Sequence, residues 1–362
     1  MTNSAFAFPR PQKALPEGSF TWKAPSNIAL IKYWGKHGNQ LPANPSLSFT
    51  LSNCVTQTTL NFKPLSQTSE EVHFEVIFDG QPSTSFRPKI EQFFNRIVAY
   101  LPFIKDYQFE IHTENSFPHS SGIASSASGM SALALCLMQM QKEMDPKMSE
   151  DHFYQKASFL ARLGSGSAAR SVSGPMMVWG KHPEISKSSD VFAIKPSFEL
   201  HPVFQDFQDS ILIVDKGEKQ VSSSLGHDLM IGHPYAKARY EQAFENLELL
   251  TTILQKGDLN EFVKIVESEA LTLHAMMMTS SPYFLLMKPN TLKIIEKIWE
   301  YRKQHKSYVC FTLDAGANLH LLYPAAEKEN ILKFVQNELI DFCEDGRFIE
   351  DQIGFGPERL SI

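Results

Sequence analysis

A chain of 362 residues exceeds the roughly 250–300 over which a single hydrophobic core keeps growing, so two lobes or one composite fold are expected. Its 43% hydrophobic and 20% charged residues mark an ordinary soluble globular protein. A net charge of −6 without any basic block excludes nucleic-acid or anionic-membrane binding through bulk charge, so any anion must be met by a few placed groups.

The first twenty residues, "MTNSAFAFPRPQKALPEGSF", carry prolines and charge where a secretion signal needs an apolar stretch, and are expected to be a loose arm over 1–20. Runs rich in β-branched and aromatic residues follow ("SFTWKAPSNIALIKYW", "SLSFTLSNCVTQTTLNF", "VHFEVIF", "YQFEIHT"), interrupted by the helical pattern "KIEQFFNRIVAYL". "IASSASGMSALALCLMQMQKEM" is apolar on nearly every side and predicts a buried helix. A further helix over about 150–163 ends at Gly164, and "PMMVWG" predicts a strand. From about 200 the texture changes to a strand, "SILIVD", and long helices near 233–255, 258–277 and 289–304. Two strands then pair around "AGA", before a last helix, "EKENILKFVQNELIDF". Strands and helices do not alternate strictly, so the expected class is α+β in two lobes, 21–200 and 201–362. No apolar run reaches the roughly 20 residues that span a bilayer. The four cysteines, Cys54, Cys136, Cys310 and Cys343, show no metal-type spacing and read as free thiols in a reducing, cytoplasmic setting.

Four segments carry groups suited to chemistry. In "GSGSAAR" (164–170) a helix precedes the glycines, which removes the dinucleotide-fingerprint reading. A plain helix cap explains Gly164 alone, whereas small residues exposing N–H groups beside Arg170 suit a carboxylate or phosphate. "PHSSGIASSASG" (118–129) puts glycine and serines at a helix start, where free N–H groups and the helix dipole favour a polyphosphate. Helix capping by Ser125, Ser126 and Ser128 explains the same residues equally well. "NIALIKYWGKHG" (27–38) offers Lys32, Tyr33 and Lys36 either as a solvated strand edge or as a grip on an anionic substrate. In "TLDAGAN" (312–318), Asp314 at a strand end either makes a local turn or meets a hydroxyl in a cleft. No zinc-binding histidine pattern and no G-x-S-x-G elbow is present. The methionines of "HAMMMTS" (274–280) read as adaptable packing.

Taken in order, "NIALIKYWGK" with "NPSLSFTL", "PHSSGIASSAS", "GSGSAARS" and "FTLDAGAN" resemble the GHMP-type small-molecule kinases and, within them, the diphosphomevalonate decarboxylases. The resemblance runs from about residue 20 to the last strands. It implies a GHMP-kinase-like two-lobed fold with a cleft between an N-terminal ATP-binding lobe and a C-terminal α+β lobe. It implies that ATP with Mg²⁺ phosphorylates the 3-hydroxyl of mevalonate 5-diphosphate, after which phosphate and CO₂ leave to give isopentenyl diphosphate. Asp314 would be the general base, Lys32 would support it, and Arg170 with Ser165 and Ser167 would hold the departing carboxylate. Tyr33, Lys36 and Ser223 would take the substrate diphosphate. Ser121, Gly122, Ser125, Ser126 and Lys219 would hold the nucleotide, with Ser126 at the metal. A homodimer is common in the family.

The chain departs from the family's pattern at Ser120 and Ser121, at Pro45, at Ser224, and at Glu218 beside Lys219. By the resemblance, three of these four changes lie near anionic groups of ATP or the substrate, and they leave a related kinase or decarboxylase acting on mevalonate or its monophosphate as the alternative. A non-catalytic ligand sensor would lack the general base that Asp314 supplies.

Overall fold

The computed structural model describes residues 4–9, 14–118, 123–216 and 223–361. In chain order the N-terminal elements are β1 (Gly18–Ile31), β2 (Lys36–His37), β3 (Leu41–Pro42), β4 (Ser46–Pro64), β5 (His73–Phe78), β6 (Gln81–Pro82), α1 (Arg87–Ile97), β7 (Tyr107–Asn115), α2 (Ser125–Met144), α3 (Glu150–Gly164) and β8 (Met176–Trp179). The C-terminal ones are β9 (Gln208–Leu212), α4 (Ser223–Asp228), α5 (Ala236–Lys256), α6 (Leu259–Met278), α7 (Pro289–His305), β10 (Cys310–Thr312), β11 (Leu319–Tyr323), α8 (Lys328–Phe334), β12 (Phe348–Gln352) and β13 (Glu358–Leu360). The mixed α+β class is as expected.

The long strand β4 organises the first sheet, whose order is β13-β1-β4-β7-β5-β6. One edge of β4 pairs with β1 along its length, with Trp22 opposite Thr58 and Ile28 opposite Phe49. Its other edge is shared: β8 takes Ser46–Phe49 and β7 takes Thr56–Pro64. Alternation of buried and half-exposed residues along Thr56–Phe62 shows one face turned to the core. That face packs on α2, which is buried from Ala127 to Gln141 apart from Gly129, as its uniformly apolar sequence predicts. The arm expected to be loose is packed in its described part. Phe6 is buried and stacks on Phe159, and Leu15 donates its N–H to Tyr107 Oη. Aromatic area in that arm outweighs its prolines and charges.

The second sheet is antiparallel, in the order β10-β11-β9-β12. The hairpin expected around "AGA" is β10–β11, with Phe311 opposite Leu321. A core of Ile28, Phe49 and Leu51 from the first sheet with Ile211, Leu250 and Phe262 joins the two halves. The tail then crosses back, and β13 lies along β1 with Arg359 opposite Trp22. All four cysteines are free and buried. Among the described residues no helix is long and apolar enough to cross a membrane.

Candidate active site

Strand β1 loses its partner after Ile31, which faces Leu47. Lys32 therefore leaves the ladder, yet it is only 1% exposed. Its ammonium points at Asp314, with Nζ 2.9 Å from Oδ1. The solvated strand edge is excluded for this lysine. Burial pulls its pKa below the ordinary lysine value, while Asp314 and Glu269 oppose that shift.

Asp314 sits just past β10 on a turn fixed from three sides. The ring of His274 donates from Nε2 to the Asp314 carbonyl at 3.2 Å. Thr291 Oγ1 donates to the Ala317 carbonyl at 2.8 Å, and Asn318 Oδ1 accepts from the N–H groups of Val214 and Asp215. Burial holds the His274 pKa down to about 4, so the ring is neutral at pH 7 and Nε2 carries its proton. The Asp314 side chain remains 29% exposed, open towards solvent or a ligand.

Arg170 is close enough for Asp314 to act on its charge. Nε donates to Ser48 Oγ at 3.0 Å and Nη1 to Ser46 Oγ at 2.6 Å, and the guanidinium lies 5.9 Å above the Trp179 ring. Burial lowers its pKa to about 10, with Asp314 and Tyr33 opposing, so it stays charged at pH 7. The segment that carries it corrects the sequence reading. Gly166–Ser171 is a buried 3₁₀ turn, and Ala168 and Ala169 are fully enclosed. Its carbonyls are taken internally: Asn27 bonds that of Ser167, Ser131 that of Ala168 and Ser158 that of Ala169. The small residues serve close approach more than open N–H groups. A Cβ at Gly166 would stand 2.8 Å from the Tyr33 ring, and one at Gly164 would stand 2.6 Å from Met130 Sδ. Gly164 is the last residue of α3 and lacks the positive φ of a left-handed cap.

Tyr33 is buried between Trp179 and His227, with ring centroids 4.7 and 4.1 Å away. Gly35 turns the chain at φ +92°, where a Cβ would lie 2.3 Å from Tyr240 Oη. Lys36 follows, half-buried and 3.8 Å from Asp228. Ser165 and Ser167 are part-exposed, and Ser165 Oγ is 3.2 Å from Ser126 Oγ, which joins the α3 end to the start of α2. Ser125 and Ser126 open α2 and also border a cavity of 230 Å³ lined by Phe78, Phe86, Ile90, Ile111, Thr113 and Asn115. Ser121, Gly122 and Lys219 lie outside the described residues, as does the side chain of Ser223.

Sequence reasoning missed Glu269, Arg239, His274, Ser46, Ser48 and the cavity. A carboxylate amid the apolar residues of α6 was the available signal for Glu269. Among the described residues no group of three or more His, Cys, Asp or Glu could hold a metal ion. The donor set here, serine hydroxyls at a helix start, fits Mg²⁺ of the kind bound mainly through phosphates and water.

Two family models match the chain. Residues 24–192 match the diphosphomevalonate decarboxylase-like N-terminal domain, and residues 210–352 match the mevalonate 5-diphosphate decarboxylase C-terminal domain. The diphosphomevalonate decarboxylase of Ganoderma lucidum is 30% identical over 338 residues, covering 87% of this chain and 80% of that protein. The mevalonate diphosphate decarboxylase structure from Staphylococcus aureus is 26% identical with a TM-score of 0.81, over 95% of this chain and 98% of that one. The structure of MDDEF in complex with MVAPP, AMPPCP and magnesium is 25% identical with the same TM-score of 0.81, over 96% and 100%. With both halves matched and the Lys32–Asp314–Arg170 cluster assembled between them, the chain belongs to the diphosphomevalonate decarboxylase family.

Proposed function

We infer that the protein is an ATP-dependent decarboxylase converting mevalonate 5-diphosphate to isopentenyl diphosphate, ADP, phosphate and CO₂, in isoprenoid synthesis by the mevalonate pathway. The observation that carries this reading is the Lys32–Asp314 ion pair at 2.9 Å beside the buried Arg170. Asp314 takes the proton of the tertiary hydroxyl as its oxygen attacks the γ-phosphoryl of ATP, a general-base role. Lys32 orients that carboxylate and balances its charge. Arg170 binds the substrate carboxylate, with Ser165 and Ser167 at the mouth of the same turn. Once the new phosphate departs with the C–O electron pair, the C–C pair forms the alkene and CO₂ leaves. Tyr33, Lys36 and Ser223 hold the diphosphate end.

The MDDEF complex with AMPPCP and magnesium supports ATP and Mg²⁺ as partners here. Ser125 and Ser126 then meet the phosphates together with Ser121, Gly122 and Lys219, and the adjoining 230 Å³ cavity takes the base. Mg²⁺ at Ser126 supplies neutralisation of phosphate charge when bound. Residues 21–200 carry the nucleotide in this reading, and residues 201–362 bring Asp314 and the helices behind it. A homodimer belongs to the same reading and is tested by light scattering.

The test is release of ADP and CO₂ from mevalonate 5-diphosphate with ATP and Mg²⁺, with mevalonate 5-phosphate in parallel. Matched ADP and CO₂ from the diphosphate is the expected result. Preference for the monophosphate, or ADP without CO₂, overturns it.

A further inference from the structure

Lys32 is the first residue past the end of the β1–β4 ladder, so its own N–H and C=O need partners from elsewhere. Both partners come from one buried pair on the C-terminal helices. Glu269 Oε2, on α6, accepts from the Lys32 N–H at 2.8 Å. Arg239 Nη2, on α5, donates to the Lys32 carbonyl at 3.2 Å. The two side chains grip each other by paired bonds, Nη1 to Oε1 at 3.0 Å and Nη2 to Oε2 at 2.6 Å, and both are wholly enclosed. Asn246 Nδ2 adds a bond to Glu269 Oε1 at 2.7 Å, and Asn44 Nδ2 adds one to the Lys32 carbonyl at 3.0 Å.

A buried ion pair adds little net stability, because desolvation cancels most of its attraction. The backbone bonds of this pair, by contrast, converge on one residue, fixing the peptide groups on both sides of the Lys32 Cα. We propose that Glu269 and Arg239 are positioning residues that set the Lys32 ammonium against Asp314 by clamping the Lys32 backbone from the opposite half of the molecule. Neither side chain touches the reacting atoms. The inference rests on the reading of Asp314 and Lys32 given above.

Such a clamp acts on the chemical step and leaves substrate binding alone, since Tyr33, Lys36 and the α2 start are held by other contacts. It also acts on the charge of Lys32. The charged or titratable groups acting on that ammonium are Asp314, Glu269, Arg170, His274 and Asp209, with Arg239 at the backbone carbonyl of the same residue. Glu269 raises the Lys32 pKa, so removing its charge lowers that pKa further. If loss of the Lys32 proton ends activity at high pH, the basic limb of the rate profile then moves to lower pH.

The experiment uses the full chain with mevalonate 5-diphosphate and MgATP, comparing wild type with Glu269→Gln and Arg239→Lys. Glutamine keeps an acceptor for the Lys32 N–H but not the charge, and lysine cannot span both Glu269 and the Lys32 carbonyl as the guanidinium fork does. We expect kcat to fall about tenfold or more in each, with both KM values within about threefold of wild type. The basic limb of Glu269→Gln should shift acidward. Unchanged kcat with an unmoved limb overturns the proposal, and so does a general loss in which KM, kcat and melting temperature all worsen without a limb shift. If Glu269→Gln does not fold, the double variant Arg239→Met/Glu269→Leu, which removes the pair without leaving one charge alone, takes its place. That variant folded with normal kcat overturns the clamp; folded with low kcat and wild-type KM, it supports it. Failure of the wild-type enzyme to turn over the diphosphate is a separate result, and it strikes the underlying functional reading.

Discussion

Two lysines in this molecule are buried to the same degree in opposite surroundings. Lys32 is 1% exposed and Lys156 is 0% exposed. Lys32 faces Asp314, with Glu269 close behind. Lys156, on α3, donates to the Tyr100 carbonyl at 3.1 Å and lies 5.4 Å above the Phe8 ring. Burial alone drives the Lys156 pKa down to about 7, whereas the carboxylates around Lys32 work against the same desolvation. Burial sets the cost of an ammonium, and the neighbouring carboxylates decide how much of that cost is offset.

The largest expected effect comes from removing the carboxylate that gives Lys32 its purpose. Asp314→Asn should lower kcat about 10³-fold or more, for ADP and CO₂ alike, with ATP binding nearly unchanged. An active Asp314→Asn enzyme removes the general base from the mechanism. Lys32→Met should cost about 10²-fold in kcat, since Asp314 then loses the ammonium 2.9 Å from its Oδ1. Equal turnover in that variant would make Lys32 as passive as its counterpart on α3. Arg170→Gln should lower kcat/KM for the diphosphate by about 10–10²-fold, the scale of a lost charge-assisted carboxylate grip. Near-normal kinetics would leave the carboxylate to some other group.

The smallest effect falls on Lys156, and it is one of stability. Its pKa drops from an ordinary 10.5 to about 7 on folding, so between those values the unfolded chain holds more protons. Stability therefore rises with pH across that window and is lowest at and below pH 7. Lys156→Met should raise the melting temperature by a few degrees at pH 7, with a smaller gain near pH 10 and unchanged kcat. Thermal unfolding at both pH values checks this; an equal gain at each would assign the effect to packing.

Much of this was legible in the sequence, and its limits are physical. The long helices and the β10–β11 hairpin follow from periodicity and from the turn at "AGA". Asp314, Lys32 and Arg170 stood in short motifs whose order carried more than any one of them. Glu269 and Arg239 did not stand out, because α5 and α6 carry many charges and spacing alone does not say which are enclosed. The small residues of 164–170 looked like open backbone since composition cannot distinguish exposure from close packing. The arm looked loose because single aromatics such as Phe6 acquire their meaning only from the surface they meet.

The return of β13 to β1 has a consequence for how the chain is made. The edge of the first sheet at Trp22 waits for Arg359, so during synthesis on the ribosome that strand stays open while the whole second sheet is being produced. The N-terminal half thus emerges with a bare, pairing-competent border, a stage at which nascent chains are prone to wrong partners. Closure of that border ties completion of the first sheet to synthesis of the half that follows it in the chain.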